Sequence, residues 1–310
     1  MKRRVLVIRN PAAGRSRPRE SMSRALIETL RREGHEVKDV ETRKTGDAAE
    51  WAEREGARWD FVVSAGGDGT ANEVANGLIR GGHDACLVVA PLGTGNDYAR
   101  LLGTPRLGDI TSALATAVPT RVDTLEVIPL GRTAGNSRHG LLFCGCGLAT
   151  ALLESTTPTV KRMFGRRGAY PAGFLRALWS HQPRRIRIRS QSGEWETPAG
   201  TVFVAAKARY AGGGTLQLAP GARLDDGLLH GLFLGSASRG SILGHFLRLS
   251  RGVHEGHPDL RCFTGTWVEV EADPPMALAL DGEVTGMSPV RIQVCRESLR
   301  VLSLGPRSAR

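Results

Sequence analysis

The sequence of 310 residues contains no apolar run near the about 18 residues that a membrane-spanning helix needs. Its apolar stretches are short, as from Val5 to Ile8 and from Cys86 to Ala90. The basic start, Met1 to Arg4, resembles the first part of a secretory signal, but the apolar stretch stops at Arg9 without a cleavage-like tail. We therefore expect a cytoplasmic protein that does not cross a bilayer.

Common metal and nucleotide signatures are also missing. The nearest two cysteines, Cys144 and Cys146, have one residue between them, whereas zinc sites place two or more there. There is no Gly-x-x-x-x-Gly-Lys-[Ser/Thr] segment, and Tyr98 stands where the third glycine of a dinucleotide fingerprint would be. These absences exclude a zinc finger, a P-loop NTPase and a standard dinucleotide-binding loop by motif.

Acidic residues are fewer than basic ones, since 42 Lys and Arg residues against 31 Asp and Glu give a formal net charge of +11. Such a balance fits nucleic-acid binding, attraction to an anionic membrane, or solubility alone. Composition does not choose among them. With 41% hydrophobic residues the chain can bury real cores, and the length predicts two domains.

The first 125 residues or so alternate short apolar strands with loops and helical segments. Strands are predicted at Val5 to Ile8, Phe61 to Ser64 and Cys86 to Ala90, each followed by turn residues and then by apolar positions at helical spacing. Strands that alternate with helices predict a mostly parallel sheet covered on both faces.

The pattern then changes to short alternating segments, such as Arg185 to Arg189 and Trp267 to Glu271. Two helical segments interrupt them, around Ala169 to Ser180 and Ser241 to Ser250. This part of the sequence predicts a second, antiparallel β-rich domain.

Two glycine-rich loops follow successive strands of the first part, Gly66 to Thr70 and Gly93 to Asp97. Glycines leave room for a phosphate against backbone N–H groups, and a helix that begins next to such a loop favours anions. Asp68 and Asp97 would repel a bare phosphate, so we expect Mg²⁺ between carboxylates and phosphate oxygens. Either loop alone is often an ordinary tight turn, but the pair indicates a metal–nucleotide site.

Several further blocks accompany these loops. In chain order the blocks are Asn10-Pro11 with Gly14, Gly66 to Thr70 with Asn72-Glu73-Val74, Pro91 with Gly93 to Asp97, Gly212 to Gly214 with Pro220 and Asp226-Gly227, and Asp281-Gly282-Glu283. Together they resemble the diacylglycerol kinase catalytic-domain family, in particular its bacterial, YegS-like lipid kinases. The likeness spans nearly the whole chain.

This resemblance implies a two-domain kinase. Its N-terminal α/β domain, with a parallel-type sheet, would be similar to NAD kinases and phosphofructokinases, its C-terminal domain would be an antiparallel β-sandwich, and the active site would lie in the cleft between them. The implied division is 1–125 with about 296–310 for the nucleotide-binding domain and 126–295 for the lipid-substrate domain. The implied reaction transfers the γ-phosphoryl group of ATP, with Mg²⁺, to the hydroxyl of diacylglycerol or a related lipid alcohol.

The resemblance also assigns residues. Asp226 would hold a structural Mg²⁺ together with the backbone carbonyls of Arg223 and Leu228, and Asp123 would join Asp68 and Asp97 near the Mg²⁺ of the nucleotide. The residues implied to bind the nucleotide are Asn10, Thr42, Gly66, Gly67, Asp68, Gly69, Thr70, Ala71, Asn72, Glu73, Gly93, Thr94, Gly95 and Asn96.

A catalytic base is expected at the end of the alternating run Met276 to Leu280. An alcohol is a poor nucleophile at neutral pH, so a carboxylate has to accept its proton. Glu283, with Asp281 beside it in the same turn, is the candidate; taken alone, the triplet Asp281-Gly282-Glu283 is equally typical of a plain Asp-Gly turn.

Two departures from the family pattern bear on substrate identity. His230 stands where many relatives carry an acidic residue, and Gly147 to Thr150 lacks an acidic residue often found after that glycine. The sequence leaves open which lipid is phosphorylated, which acyl chains are preferred, and whether the protein forms a homodimer.

Two alternatives remain. An NAD kinase shares the Gly-Gly-Asp-Gly segment, although Asn72 to Val74 and the second loop have the lipid-kinase form. A non-catalytic basic module would use Lys161 to Arg167 and Arg184 to Arg189, but no nucleic-acid-binding motif accompanies them, so no specific nucleic acid is expected. The second run reads more simply as a strand with Ile186 and Ile188 inward, and the first as a peripheral contact with an anionic membrane surface.

Overall fold

The structure, a computed structural model, describes residues 2–12, 17–103, 106, 108–116, 118–131, 136–156 and 158–303. Within them, the side chains of 17–19, 109, 115, 116, 158, 159, 161–167, 169 and 170 are outside the description. The chain divides into two compact units, Met1–Val122 with Glu297–Arg310, and Asp123–Arg296.

A parallel sheet forms the centre of the first unit. Its four strands are β1 (Arg4–Arg9), β2 (Glu36–Glu41), β3 (Phe61–Gly66) and β4 (Cys86–Pro91). They lie in the order β2-β1-β3-β4, and Val301 pairs in parallel with Leu87 on β4. The prediction of a mostly parallel sheet built from alternating strands and helices is confirmed.

Helices cover this sheet. They are α1 (Arg17–Arg32), α2 (Asp47–Glu55) with a short 3₁₀ helix (Gly56–Arg58), α3 (Asp68–Arg80), α4 (Asp97–Leu101) and α5 (Gly108–Thr116). On one face, Leu30 of α1 and Ile110 of α5 pack against Val63 and Val88. Because side chains alternate along a strand, fully buried Leu6 faces the opposite side. Helix α3 contacts β3 and β4 and packs closely on α2.

The second unit is built from antiparallel strands. The strands are β5 (Thr120–Pro129), β6 (Arg138–Gly140), β7 (Phe143–Gly147), β8 (Arg184–Ser190), β9 (Gly193–Gly200), β10 (Val202–Ala206), β11 (Leu229–Leu234), β12 (Leu260–Gly265), β13 (Trp267–Asp273), β14 (Ala277–Leu280), β15 (Glu283–Met287) and β16 (Val290–Val301). One sheet has the order β12-β11-β10-β7-β14-β15, and a second contains β16, β13, β8 and β9 in that order. Strands β5 and β16 each begin in one unit and end in the other along the chain.

A shared core holds these two sheets together as a sandwich. Cys146 and Phe203 from the first sheet pack with Ile188, Val270 and Ile292 from the second, all of them buried. The alternation of inward and outward residues along each strand produces this single apolar layer. The predicted antiparallel β-sandwich is therefore confirmed.

Helices cover the outer face of the six-stranded sheet. These are α6 (Leu148–Ser155), α7 (Pro158–Ser180) and α8 (Arg239–Arg251). Phe174 of α7 stacks on Phe246 of α8 with ring centroids 3.8 Å apart, and both helices pack on the core that includes Val204 and Leu232. Helix α7 begins eleven residues before the segment predicted from Ala169.

The two basic runs have different outcomes. On β8, Ile186 and Ile188 are fully buried, while Arg185 and Arg187 form ion pairs with Glu196, so the prediction of an ordinary strand with its arginines outward is confirmed. The side chains of Lys161 to Arg167 lie outside the described residues. In the described part of the chain, no helix combines the length and the apolar character needed to span a membrane.

Candidate nucleotide and catalytic sites

Candidate nucleotide-binding residues follow the ends of all four neighbouring parallel strands. Asn10 comes directly after β1, Thr42 after β2, Gly67 after β3 and Gly93 shortly after β4. Parallel strands end at the same edge of a sheet, which is where open α/β sheets bind ligands. The structure thus brings these residues of the sequence prediction to one edge.

Side chains at this edge connect the strand ends. The Asn10 amide Nδ2 donates to the hydroxyl Oγ1 of buried Thr70 at 3.0 Å, and Asn10 Oδ1 accepts the N–H of Ala12 at 2.9 Å. Thr42 is also buried, and its N–H donates to the Arg9 carbonyl at 2.9 Å. Asn10 and Thr70 therefore fix the turn after β1 against the first glycine loop.

The two glycine loops touch each other. A Cβ added to Gly67 would lie 3.2 Å from the Gly93 Cα, so the backbones are in contact. Across this contact, Asp68 Oδ1 accepts the N–H of Tyr98 at 3.0 Å. Asn96 has a positive φ of 56° and holds its own loop by donating to the Gly93 carbonyl at 3.0 Å. The two loops are therefore held against each other at the start of α3.

Carboxylate oxygens of Asp68 and Asp97 both lie close to Gly95. A Cβ added to Gly95 would be 2.7 Å from Asp68 Oδ2 and 3.8 Å from Asp97 Oδ2. Asp97 also accepts from Arg100 Nη1 at 3.0 Å. Carboxylate oxygens are hard ligands and are of the type that suits a divalent cation accompanying a polyphosphate.

Glu73 has a role that the sequence prediction did not include. Its carboxylate accepts the N–H of Gly46 at 3.0 Å and of Ala48 at 3.3 Å, at the start of α2. Gly46, the N-cap of that helix, has no side chain to supply such a bond. Glu73 on α3 therefore caps α2, and its contact with a nucleotide stays a prediction.

The segment with the candidate base is a tight hairpin between β14 and β15. Leu280 pairs with Glu283, and the two turn residues Asp281 and Gly282 both have positive φ, 50° and 92°. This is the mirror-image turn that hairpins favour and that Asp-Gly sequences provide. Glu283 is exposed at the beginning of β15.

The Asp281 carboxylate accepts hydrogen bonds from the backbone. It accepts the N–H groups of Leu141 at 2.6 Å, Leu142 at 2.8 Å and Phe143 at 3.0 Å, and the side chain is buried. Three such bonds anchor the hairpin to the start of β7. Asp281 thus fixes the turn next to Glu283, and the structure supports a positioning role for it.

Asp123 and Asp226 lie together in the second unit, around a lysine that sequence reasoning missed. Lys207 follows the apolar strand β10, is fully buried, and its Nζ contacts both carboxylates and the carbonyl of Leu228. His230 Nε2 lies 3.1 Å from Asp226 Oδ2. In the sequence, Lys207 could have been noticed as a charged residue at the end of an apolar strand. Its acidic partners could not have been identified in the same way, because they are distant in sequence.

The other departure from the family pattern, Gly147 to Thr150, lies at the junction of β7 and α6. Thr150 is buried and donates from Oγ1 to the Ala277 carbonyl on β14 at 2.9 Å. A hydroxyl that bonds β14 ties this helix to the strand leading into the Asp281 turn.

Comparisons with known proteins agree over nearly the whole chain. The model of the diacylglycerol kinase catalytic domain matches residues 4–130, and that of the YegS C-terminal NAD kinase beta sandwich-like domain matches residues 149–303. A protein named diacylglycerol kinase from Staphylococcus aureus is 31% identical over 294 residues, which cover 93% of this chain and 89% of the relative.

Solved structures share the fold. A diacylglycerol kinase from Bacillus anthracis aligns with a TM-score of 0.72 at 19% identity and covers 97% of each chain. The yeast NADH kinase aligns with a TM-score of 0.55 at 11% identity, over 97% of this chain and 83% of that one. These two likenesses concern the architecture alone.

Proposed function

The chain belongs to the family of the diacylglycerol kinase catalytic domain, and we propose that it phosphorylates the free hydroxyl of diacylglycerol with ATP and Mg²⁺. The class of reaction, ATP-dependent lipid phosphorylation, follows from the family. The acceptor is inferred from the diacylglycerol kinase of Staphylococcus aureus, which is 31% identical over most of both chains. The observation that carries the proposal is the pair of touching glycine loops, with carboxylate oxygens of Asp68 and Asp97 both close to Gly95.

The nucleotide would bind at the edge where the four parallel strands end. Backbone N–H groups at the start of α3, next to loops that carry no side chain at Gly67 and Gly93, suit phosphate oxygens. Asn10 and Thr70 hold the backbone that presents those groups. Because the Asp68 and Asp97 carboxylates are of the type that Mg²⁺ prefers, these two side chains would hold the cation, which neutralises charge on the transferring phosphoryl group.

Glu283 would act as the base. As the hydroxyl oxygen forms its bond to the γ-phosphorus, the bond from that phosphorus to the bridging oxygen breaks and ADP leaves, while the hydroxyl proton passes to the Glu283 carboxylate. Asp281 would keep Glu283 in place through its three backbone bonds.

The test is a transfer assay with labelled ATP against a panel of acceptors that includes diacylglycerol, a sphingoid base and NAD. We expect label in phosphatidic acid, and no label in NADP. Label in another lipid alone would refute the acceptor, and label in NADP alone would refute lipid phosphorylation.

A variant set tests the roles of the carboxylates. Glu283→Gln is expected to lower kcat by about 100-fold or more, since general base catalysis contributes about 10²–10⁴-fold, with ATP binding unaltered in calorimetry. Glu271→Gln, which changes an exposed carboxylate on β13, is the matched control. Unaltered turnover of Glu283→Gln would exclude the base assignment.

Peripheral membrane contact forms the second part of the proposal. Four apolar side chains are exposed on two packed helices, Leu175 and Trp179 on α7 and Leu243 and Leu247 on α8. Arg239 lies over the Trp179 ring at 4.5 Å, which places a cation beside the largest of them. Tryptophan next to basic side chains suits the interface of an anionic bilayer.

Vesicle sedimentation tests this surface. Trp179→Ser with Leu247→Ser is expected to weaken binding to phosphatidylglycerol vesicles and turnover of long-chain substrate, while activity on a short-chain soluble substrate is spared. Replacing Lys161, Arg162, Arg166 and Arg167 by Ala is expected to do the same. Val118→Ser, an exposed apolar residue of the first unit, serves as control. Equal losses on both substrates would refute the membrane contact.

A further inference from the structure

Lys207 is a fully buried cation in the second unit. It directly follows the apolar strand β10, and its side chain has no exposed surface. Its Nζ forms an ion pair with Asp123 Oδ2 at 2.9 Å, donates to the Leu228 carbonyl at 2.9 Å, and contacts Asp226 Oδ1. An ammonium group has three N–H donors, so these three oxygens match its full capacity.

The acidic partners are held in place by the backbone. Asp226 accepts the N–H groups of Arg223 at 3.1 Å and Leu228 at 3.0 Å, and Asp123 accepts that of Gly227 at 2.7 Å. We call Lys207, Asp123, Asp226 and the Leu228 carbonyl the lysine cluster.

Burial requires the charges of the cluster to be paired. The side chains of Lys207 and Asp123 are 0% and 2% exposed. An ammonium and a carboxylate taken out of water each need a group of opposite charge within contact distance, and each provides it for the other. Asp226, which is partly buried, brings a second carboxylate to the same ammonium.

The same groups are those to which the family resemblance assigns a structural Mg²⁺, namely Asp226 and the carbonyls of Arg223 and Leu228. Lys207 Nζ bonds two of these three groups. Mg²⁺ needs oxygen ligands at about 2.0–2.1 Å in octahedral geometry, and an ammonium group bound to the same oxygens repels it. The residues present do not fit the metal.

We propose that the Lys207 ammonium takes the place of the structural Mg²⁺, so that the turn from Arg223 to Leu228 is held by the protein's own cation. His230 agrees with this substitution. An acidic residue at that position would add a third carboxylate beside a single positive charge, whereas the histidine ring lies 3.1 Å from Asp226 and adds none. The proposal concerns the second unit alone and is independent of the Mg²⁺ that accompanies ATP.

Thermal unfolding without nucleotide or lipid tests the proposal, because it reads out stability rather than catalysis. The wild-type Tm is expected to be equal in MgCl₂ and in EDTA at matched ionic strength. Lys207→Asn, which removes the ammonium and leaves room for an ion, is expected to lower the Tm in EDTA by about 10 °C, as for a broken buried ion pair. MgCl₂ is expected to restore a large part of that loss in a saturable manner.

Two controls make the outcome specific. Lys38→Asn removes a lysine that pairs with Glu55 at 3.1 Å but is partly exposed, and its Tm is expected to be independent of Mg²⁺. Asp68→Asn removes a carboxylate of the glycine loops and leaves the lysine cluster intact. A wild-type Tm increase with Mg²⁺ that disappears in Asp68→Asn would arise at the loops and agree with the proposal.

Three results would overturn it. The first is a saturable Mg²⁺ stabilisation of the wild type that persists in Asp68→Asn. The second is a Lys207→Asn variant as stable in EDTA as the wild type. The third is a Lys207→Asn variant that Mg²⁺ does not stabilise, or that yields no folded protein with Mg²⁺ or without it, because the cluster would then not be a cation site that lysine and metal can both fill.

Discussion

Gly93→Ala tests whether the contact between the two glycine loops sets the geometry of the nucleotide site. A Cβ at position 93 would lie less than 3.0 Å from the Cα of Gly67 and 2.8 Å from Asn96 Oδ1. Non-bonded carbon atoms are comfortable at about 3.5–4.0 Å, so the two backbones would have to separate by roughly 1 Å. Neither loop can yield easily, because Asp68 bonds the Tyr98 N–H and Asn96 bonds its own loop.

The expected cost has two parts. Forcing one extra methyl into a packed contact lowers the free energy of unfolding by about 1–3 kcal/mol. Displacing the loops by roughly 1 Å lowers kcat/KM by about 100-fold, because catalytic positioning is sensitive to shifts of that size. Gly67→Ala is milder, since its Cβ would lie 3.2 Å from the Gly93 Cα and needs a shift of a few tenths of an ångström.

The assay is kcat/KM for ATP at saturating lipid, with the Tm and the ATP affinity measured in parallel. Gly108→Ala is the matched control in the same unit, because a Cβ there would meet nothing within 4 Å. We expect Gly93→Ala to be impaired most, Gly67→Ala less, and Gly108→Ala not at all. Wild-type kinetics for Gly93→Ala, or a stronger defect in Gly67→Ala, would refute the role given to this contact.

Glu73→Gln removes the negative charge at the start of α2. This variant is expected to lower the free energy of unfolding by about 1 kcal/mol in urea titration, with KM for ATP unaltered. A higher KM at unaltered stability would indicate a nucleotide contact instead. Asp281→Asn leaves backbone donors without their carboxylate and is expected to cost about 1–3 kcal/mol in the same titration, and a variant of wild-type stability would contradict the anchor. Burial lowers the pKa of His139 and of His254 in the folded protein. As the pH drops below about 6.5, these histidines are therefore protonated in the unfolded chain before they are protonated in the folded one, and the free energy of unfolding falls. The Tm is expected to decrease from pH 7 to pH 5, and less so in His254→Gln; equal slopes would contradict this account.

The parallel sheet and the sandwich were predictable because their signals are local. Each apolar strand of the first unit is followed by turn residues, and the strands of the second unit alternate inward and outward residues, as Ile186 and Ile188 show. The predicted boundaries at 125 and about 295 lie close to those of the compact units, Val122 and Arg296.

Helices α6 and the first half of α7 were missed for physical reasons. Helix α6 has eight residues, most of them apolar, so helical periodicity is weak. Helix α7 contains Pro171 in its interior and a run of basic and glycine residues before it, both of which weaken the helical signal in the sequence. Packing of α7 on α8 through Phe174 and Phe246 supplies stability that local propensity lacks.

The site was predictable in its loops but not in its cross-connections. Glycine, aspartate and strand order located the loops, yet the bond from Asp68 to Tyr98 and the cap that Glu73 provides join residues about thirty positions apart. Lys207 is an extreme case, because its partner Asp123 lies on another strand, far away in sequence. Such contacts depend on tertiary packing, which residue patterns do not encode locally.

Acidic residues that look catalytic in the sequence have largely structural bonds in the fold. Asp68, Glu73 and Asp281 each accept backbone N–H groups, so replacing any of them disturbs a loop, a helix start or a turn as well as the chemistry. Lost activity in such variants would not identify a base. Glu283 differs, since it is exposed and no partner of its carboxylate is found among the described residues. Its replacement by Gln should therefore change kcat without changing Tm, and that separation makes it the most direct test of the proposed chemistry.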